Sequence, residues 1–165
     1  MTGVTEARDF ERWYVGEHAR LFGSLLVLSG DREIAAEATD EALSRALQHW
    51  DRVGLMDSPG GWTYQVAVNV VRRLTRRRAL ERRLLRRLGP RAAEPAPGGE
   101  VWDLVRSLPE RQRTAVVLRY VADLAEADIA TAMGVTRGTV ASTLADARRT
   151  LSGVLTEADV AEEPS

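Results

Sequence analysis

Leu124-Ala125-Glu126-Ala127-Asp128-Ile129-Ala130-Thr131-Ala132-Met133-Gly134-Val135-Thr136-Arg137-Gly138-Thr139-Val140-Ala141-Ser142-Thr143-Leu144 is the stretch that decides the fold. Residues 124–133 read as one helix, Gly134 supplies a tight turn, and Thr136 is placed to cap a second helix. That second helix repeats Val140, Leu144, Ala147 and Leu151 at helical spacing. Ala130 is the small residue needed where the two helices cross closely, so the pattern is a helix-turn-helix. The bland alternative is an ordinary helical hairpin. DNA binding is favoured over it because the second helix opens with Arg137, Thr139 and Ser142 and continues to Arg148 and Arg149, side chains that reach phosphates and base edges.

Upstream, the same periodicity recurs. Phe10, Trp13 or Tyr14, Leu21, Leu25 and Leu28 mark one buried helical face ended by Gly30, and Asp31 is set to cap a helix running toward Trp50. In that helix Ile34, Ala38, Ala42, Ala46 and Trp50 form an inner stripe, while Glu37, Asp40, Glu41, Ser44 and Gln48 form an acidic outer one. Residues 51–61, with Gly54, Pro59, Gly60 and Gly61, read as a loop, and Ser58-Pro59 starts a third helix with Trp62, Val66, Val70 and Leu74 inward. Its opposite stripe is Gln65, Asn69, Arg72 and Arg76. Residues 89–99 are dominated by Pro, Gly and Ala and read as a linker. Beyond it, Val101, Leu104, Val105 and Leu108 begin a second module, with Pro109 starting another helix. The expectation is an all-α fold of two small helical domains, residues 1–88 and 101–155, joined by a flexible linker over 89–100 and followed by an acidic, frayed tail over 156–165.

Composition narrows the chemistry. The chain has 165 residues, 44% hydrophobic and 28% charged, enough for packed cores and too apolar for a disordered chain. It has no Cys, which excludes disulfides, thiolate metal sites and a Cys nucleophile and suits a reducing, cytoplasmic setting. No apolar run approaches the roughly 18 residues of a membrane span, and the N-terminal segment is acidic where a secretory signal is basic, so no membrane insertion is expected. Every basic residue is Arg, a bias that fits a GC-rich genome better than a mechanism. The net charge of −1 hides an asymmetry: between Arg72 and Arg91 stand ten Arg against the single acid Glu81, about +9, offset by about −10 elsewhere. A solvated face is the usual fate of such a run, but this excess points to a polyanion, and Trp62 and Tyr64 at the start of the same helix offer flat surfaces for exposed bases. For Trp62 a core role competes with stacking. His18 and His49 lack metal-ligand spacing, and one acidic helix stripe without a second is weak support for a metal, so neither metal, cofactor nor catalytic residue is expected.

Taken in order, these segments resemble the extracytoplasmic-function (ECF) sigma factors, the smallest members of the primary-sigma family, over about Phe10 to Leu151. The run Gly30-Asp31-Arg32-Glu33 leading to residues 37–46 resembles the segment that docks on the clamp helices of RNA polymerase, which implies Glu37, Asp40 and Glu41 as polymerase-binding residues. Residues 62–69 and the Arg cluster after them resemble the segment that opens and reads the minus-ten element. This implies Trp62, Tyr64, Gln65, Asn69, Arg72, Arg73 and Arg76 as DNA-binding residues, with residues 51–61 as the loop that holds a flipped base. Leu108-Pro109-Glu110-Arg111-Gln112-Arg113 and the helix-turn-helix resemble the module that reads the minus-thirty-five element, with Arg137, Thr139, Ser142, Arg148 and Arg149 toward DNA. The sequence departs from the family where Ala141, Thr143 and Asp146 replace frequently basic positions.

The resemblance implies a cytoplasmic, non-enzymatic sigma factor whose partners are core RNA polymerase, promoter DNA and, as an open case, an anti-sigma factor. Two alternatives stand beside it: a free-standing helix-turn-helix transcription regulator, which needs no acidic docking helix, and a sigma-like regulatory protein with weak or no promoter binding.

Overall fold

The computed structural model describes residues 2–89 and 98–161, with side chains described over 9–89 and 98–154. The described residues are all-α, with no strand. The helices are α1 (Thr2–Ser29), α2 (Arg32–Gln48), α3 (Trp50–Val53), α4 (Pro59–Leu85), α5 (Glu100–Ser107), α6 (Glu110–Tyr120), α7 (Glu126–Met133) and α8 (Arg137–Ala161), with a short 3-10 turn at Arg86–Leu88 after α4.

Local chemistry sets most boundaries. Ser29 closes α1, Gly30 takes a positive φ of 65°, and Asp31 Oδ1 accepts the N–H groups of Glu33 and Ile34 at 3.0 and 3.1 Å, which starts α2. Ser58 Oγ accepts from Gly61 N at 2.9 Å with Pro59 in the first turn of α4. Gly134 is left-handed at φ 65°, ψ 38°, and Thr136 Oγ1 accepts from Thr139 N at 3.2 Å to open α8.

Several boundaries differ from the sequence expectation. Helix α1 starts at Thr2, eight residues before Phe10. The helix toward Trp50 stops at Gln48, and Trp50 opens the short α3, where its ring packs edge-on against Phe10 at 5.2 Å and tilted against Trp13 at 4.9 Å. Those contacts also settle the inner aromatic of α1 as Trp13, leaving Tyr14 38% exposed. Residues 51–61 are therefore only partly loop, being helical at both ends. The first helix of the helix-turn-helix begins at Glu126, because the carbonyl of Leu124 is held by Arg119 Nη1 at 3.0 Å outside the helical ladder. Helix α8 runs on to Ala161, where fraying was expected after Leu155. Residues 90–97 of the linker and 162–165 of the tail lie outside the described residues.

The largest departure concerns α4. A single inward stripe was expected, yet Thr63, Tyr64, Ala67, Val68 and Val71 are buried alongside Val70 and Leu74, while Trp62 and Val66 are half-buried. Helix α4 is apolar on two faces because it is packed on two sides, by α1 and α2 and by α7. One continuous buried cluster runs from Leu21, Leu25 and Ala38 through Tyr64 and Val68 to Val117, Ile129, Val140 and Leu144. The two modules are closed against each other.

Candidate nucleic-acid and protein interfaces

The acidic stripe of α2 is formed by exposed Glu37 and Asp40 and half-buried Glu41. Glu41 is already paired within the protein. Its carboxylate accepts from Arg45 Nη2 at 2.6 Å and, on both oxygens, from Arg73 at 2.6 and 3.4 Å. The hydrogen bond from Arg73 holds the Glu41 carboxyl below its ordinary range, against a smaller opposing effect of burial. Glu37 and Asp40 are the open carboxylates. Beside Asp40 lies a groove of about 380 Å³ lined by Phe10, Tyr14, Leu43, Ser44 and Leu47. Leu47 is 53% exposed there, an apolar neighbour of the acidic stripe that charge counting passed over. Its signal in the sequence is its place two turns after Asp40 on the same helix.

On α4 the proposed minus-ten residues separate. Asn69, Arg73 and Arg76 are exposed, and Gln65, Trp62 and Arg72 are half-buried. Tyr64 is a correction to the stacking expectation, since its side chain is fully buried under α1. Ser24 gives its proton to the Arg20 carbonyl at 2.8 Å, so the Tyr64 phenol donates to Ser24 Oγ at 3.4 Å, and burial pushes its ionisation far above the ordinary range. No base can stack on it in this arrangement. The Arg run is also less naked than its sequence suggests. Arg72 Nε donates to Glu110 of α6 at 2.6 Å, Arg73 pairs with Glu41, Arg77 with Glu81, and Arg78 with both Asp31 and Glu33. Apart from Glu81, the acids that offset the block come from distant segments, which composition alone cannot reveal. Trp62 and Gln65 sit near the contact with α7, where a Cβ placed on Gly61 would meet Asp128 Cα and Cβ at 3.5 Å.

On the helix-turn-helix, Arg137, Ser142, Arg148 and Arg149 are exposed and Thr139 is half-buried. Their freedom differs. Thr139 shares a hydroxyl hydrogen bond with Thr136 at 2.9 Å, Ser142 Oγ donates to the Thr139 carbonyl at 3.0 Å, and Arg148 Nη2 donates to Tyr120 OH at 3.2 Å. Arg149 pairs with Asp146, the acid that departs from the family pattern. Arg137 has no such tie among the described residues, so it is the least tethered of these cations. The surface that was expected to read the upstream element therefore carries one untethered cation and two restrained ones.

Among the described residues, no three His, Asp or Glu side chains group closely enough to hold a metal, and no helix is long and apolar enough to cross a membrane. His18 lies against the Tyr14 ring at 5.3 Å.

Residues 98–151 match the family model described as Sigma-70, region 4, which spans α5 to most of α8 and includes the helix-turn-helix. That match gives no support to a primary-sigma assignment. No curated protein sequence matches the chain significantly. Among solved structures, the fold is similar to the sigma factor RpoE in complex with the anti-sigma factor NepR from Bartonella quintana, at 21% identity and TM-score 0.73, covering 90% of this chain and 98% of that one. It is also similar to CnrH in complex with the cytosolic domain of CnrY, at 17% identity and TM-score 0.67, covering 93% of this chain and 96% of that one.

Proposed function

We propose that this chain is an RNA polymerase sigma factor of the ECF kind, a promoter-specificity subunit that directs transcription initiation and has no catalysis of its own. The observation that carries the reading is the sigma-70 region 4 domain at residues 98–151, standing behind a helical module with an acidic face and a basic helix. In this reading Glu37, Asp40 and Glu41 dock core RNA polymerase in the cytoplasm, with Glu37 and Asp40 the more available. Asn69, Arg72, Arg73 and Arg76 meet the minus-ten strand, and Arg137 reads the upstream duplex while Thr139, Ser142, Arg148 and Arg149 position it. Trp62 and Gln65 join the minus-ten side when α7 moves away.

An anti-sigma factor belongs among the partners. One similar structure is of a sigma factor in complex with an anti-sigma factor and the other of CnrH in complex with the cytosolic domain of CnrY, and the present arrangement, closed over Gly61 and Arg72, needs to open before the minus-ten face is complete.

The test is run-off transcription by purified core polymerase on genomic fragments, with and without the full chain. Specific transcripts that require the chain are expected, and a chain that binds polymerase yet yields no transcript from any fragment would favour the non-initiating alternative. Replacing Glu37→Arg together with Asp40→Arg should weaken core binding about tenfold or more and make the remainder less salt-sensitive. Pull-down across a salt series measures it, and undiminished binding contradicts the docking assignment.

A further inference from the structure

Helices α1, α4, α5 and α6 enclose an open-sided cavity of about 170 Å³ where the two modules meet. Its wall holds four guanidiniums, Arg72 and Arg76 from α4, Arg106 from α5 and Arg113 from α6, against the single carboxylate of Glu110. Some of their donors are committed: Arg72 Nε to Glu110 at 2.6 Å, Arg106 Nη2 to Asp103 at 2.5 Å, and Arg113 Nη1 to the Arg106 carbonyl at 2.8 Å. Others are not. Arg113 Nε is buried without any acceptor, Arg76 has no ion pair among the described residues, and Thr75 adds an exposed hydroxyl at the rim. A buried N–H with no acceptor, amid converging like charges, is a costly arrangement that an anion would relieve.

We propose that this interdomain cavity is a binding site for a small, free polyphosphate anion, which bridges the two modules and holds them closed. Guanidinium forks offer paired donors to two oxygens on one centre, and forks arriving from three helices suit a multiply charged tetrahedral group better than one carboxylate. Size argues the same way. The cavity far exceeds the ~10–15 Å³ that a single water requires, yet it cannot admit a peptide helix about 10–12 Å across. Because the walls come from both modules, the anion binds only the closed form and stabilises it by mass action. Because Arg72 and Arg76 also belong to the proposed promoter stripe, anion and promoter strand compete for them.

The test titrates the full-length protein with inorganic pyrophosphate in a calorimeter at fixed ionic strength, without polymerase or promoter, so that its outcome is separate from that of the transcription test. One saturable site is expected. Arg113→Gln and Arg76→Gln should each weaken it by about tenfold or more, whereas Arg82→Gln, in the same basic run but outside the cavity, should change it by less than about twofold. Arg76 is exposed and has no ion pair among the described residues, so its variant decides the matter even if Arg113→Gln fails to fold. Absence of saturable binding, or an equal loss in Arg82→Gln, would reduce the effect to diffuse charge and overturn the proposal. So would a short single-stranded oligonucleotide whose binding needs Arg113 while pyrophosphate does not bind, since the occupant would then be a DNA backbone phosphate.

Discussion

Two carboxyls of the first module are pushed in opposite directions by their surroundings. Burial raises Glu17 above its ordinary 4.5, with the charge of Arg20 opposing, while the hydrogen bond from Arg73 lowers Glu41. The consequences for stability have opposite signs. A raised folded value means that the ionised Glu17 destabilises the fold at neutral pH and that the cost disappears as pH falls through that raised value toward 4.5. Glu17→Gln should therefore raise Tm at pH 7, by a gain of at most about 1 kcal/mol, and the advantage should vanish in acid. Glu41 behaves in reverse: its contribution is full above 4.5 and is lost as pH falls through the depressed folded value, so Glu41→Gln should lower Tm slightly at neutral pH and not in strong acid. Thermal unfolding of the three proteins across pH measures both, and parallel curves would contradict the pairing. Only part of this is written in the sequence. Asp31 as a helix cap is local and could be read from its position, whereas the Glu41–Arg73 contact joins residues 32 apart and depends on how α4 lies on α2. Tyr64 went astray for the same reason, because an aromatic in a basic helix looks available until α1 is seen to cover it.

Among the elements, the helix-turn-helix was the most legible, because its signals are confined to adjacent residues: a left-handed Gly134, a capping Thr136 and an apolar spacing that needs no distant partner. Helix α4 was least legible. Periodicity finds one buried stripe per helix, and α4 has two because it is shared between modules. The near-continuous apolar run at Thr63, Tyr64, Val66, Ala67, Val68, Val70 and Val71 was the available sign that this helix is covered on both sides. The turn gives a clean measurement. Gly134 has φ 65° and nothing within 4 Å of a built Cβ, so a substitution there meets conformational strain without a clash. Its N–H donates to the Thr131 carbonyl at 3.2 Å and that of Val135 to Ala130 at 3.0 Å, which fixes the left-handed conformation. Gly134→Ala should cost about 1–2 kcal/mol in urea unfolding, and Gly134→Asn distinctly less because Asn tolerates this region. Equal costs would mean that something other than backbone strain governs the position.

At the scale of the whole molecule, the question is what keeps the proposed promoter-facing side of α4 covered. The Arg72–Glu110 pair is partly exposed, and such pairs contribute only about 0–1 kcal/mol. The continuous apolar cluster shared by α4 and α7 is thus the larger restraint, and cutting the ion pair alone should open the protein little. A covalent lock tests the closed arrangement more directly. The chain has no Cys, so an introduced pair has no competitor. A Cβ built on Gly61 falls 3.5 Å from Asp128 Cβ, at the near edge of the roughly 3.5–4.5 Å that a disulfide spans. The same Cβ would stand 2.9 Å from Ser58 Oγ, so the capping hydroxyl has to rotate aside, which costs some stability but leaves the packing of α4 on α7 in place. Gly61→Cys with Asp128→Cys should therefore oxidise to an intramolecular disulfide. The oxidised protein should give no promoter-specific run-off transcript, because the modules cannot part; reduction should restore transcription, and neither single variant should respond to oxidant. Full activity of the oxidised double variant would mean that promoter opening proceeds with α7 still seated on α4, and the closed form would then be no barrier to function.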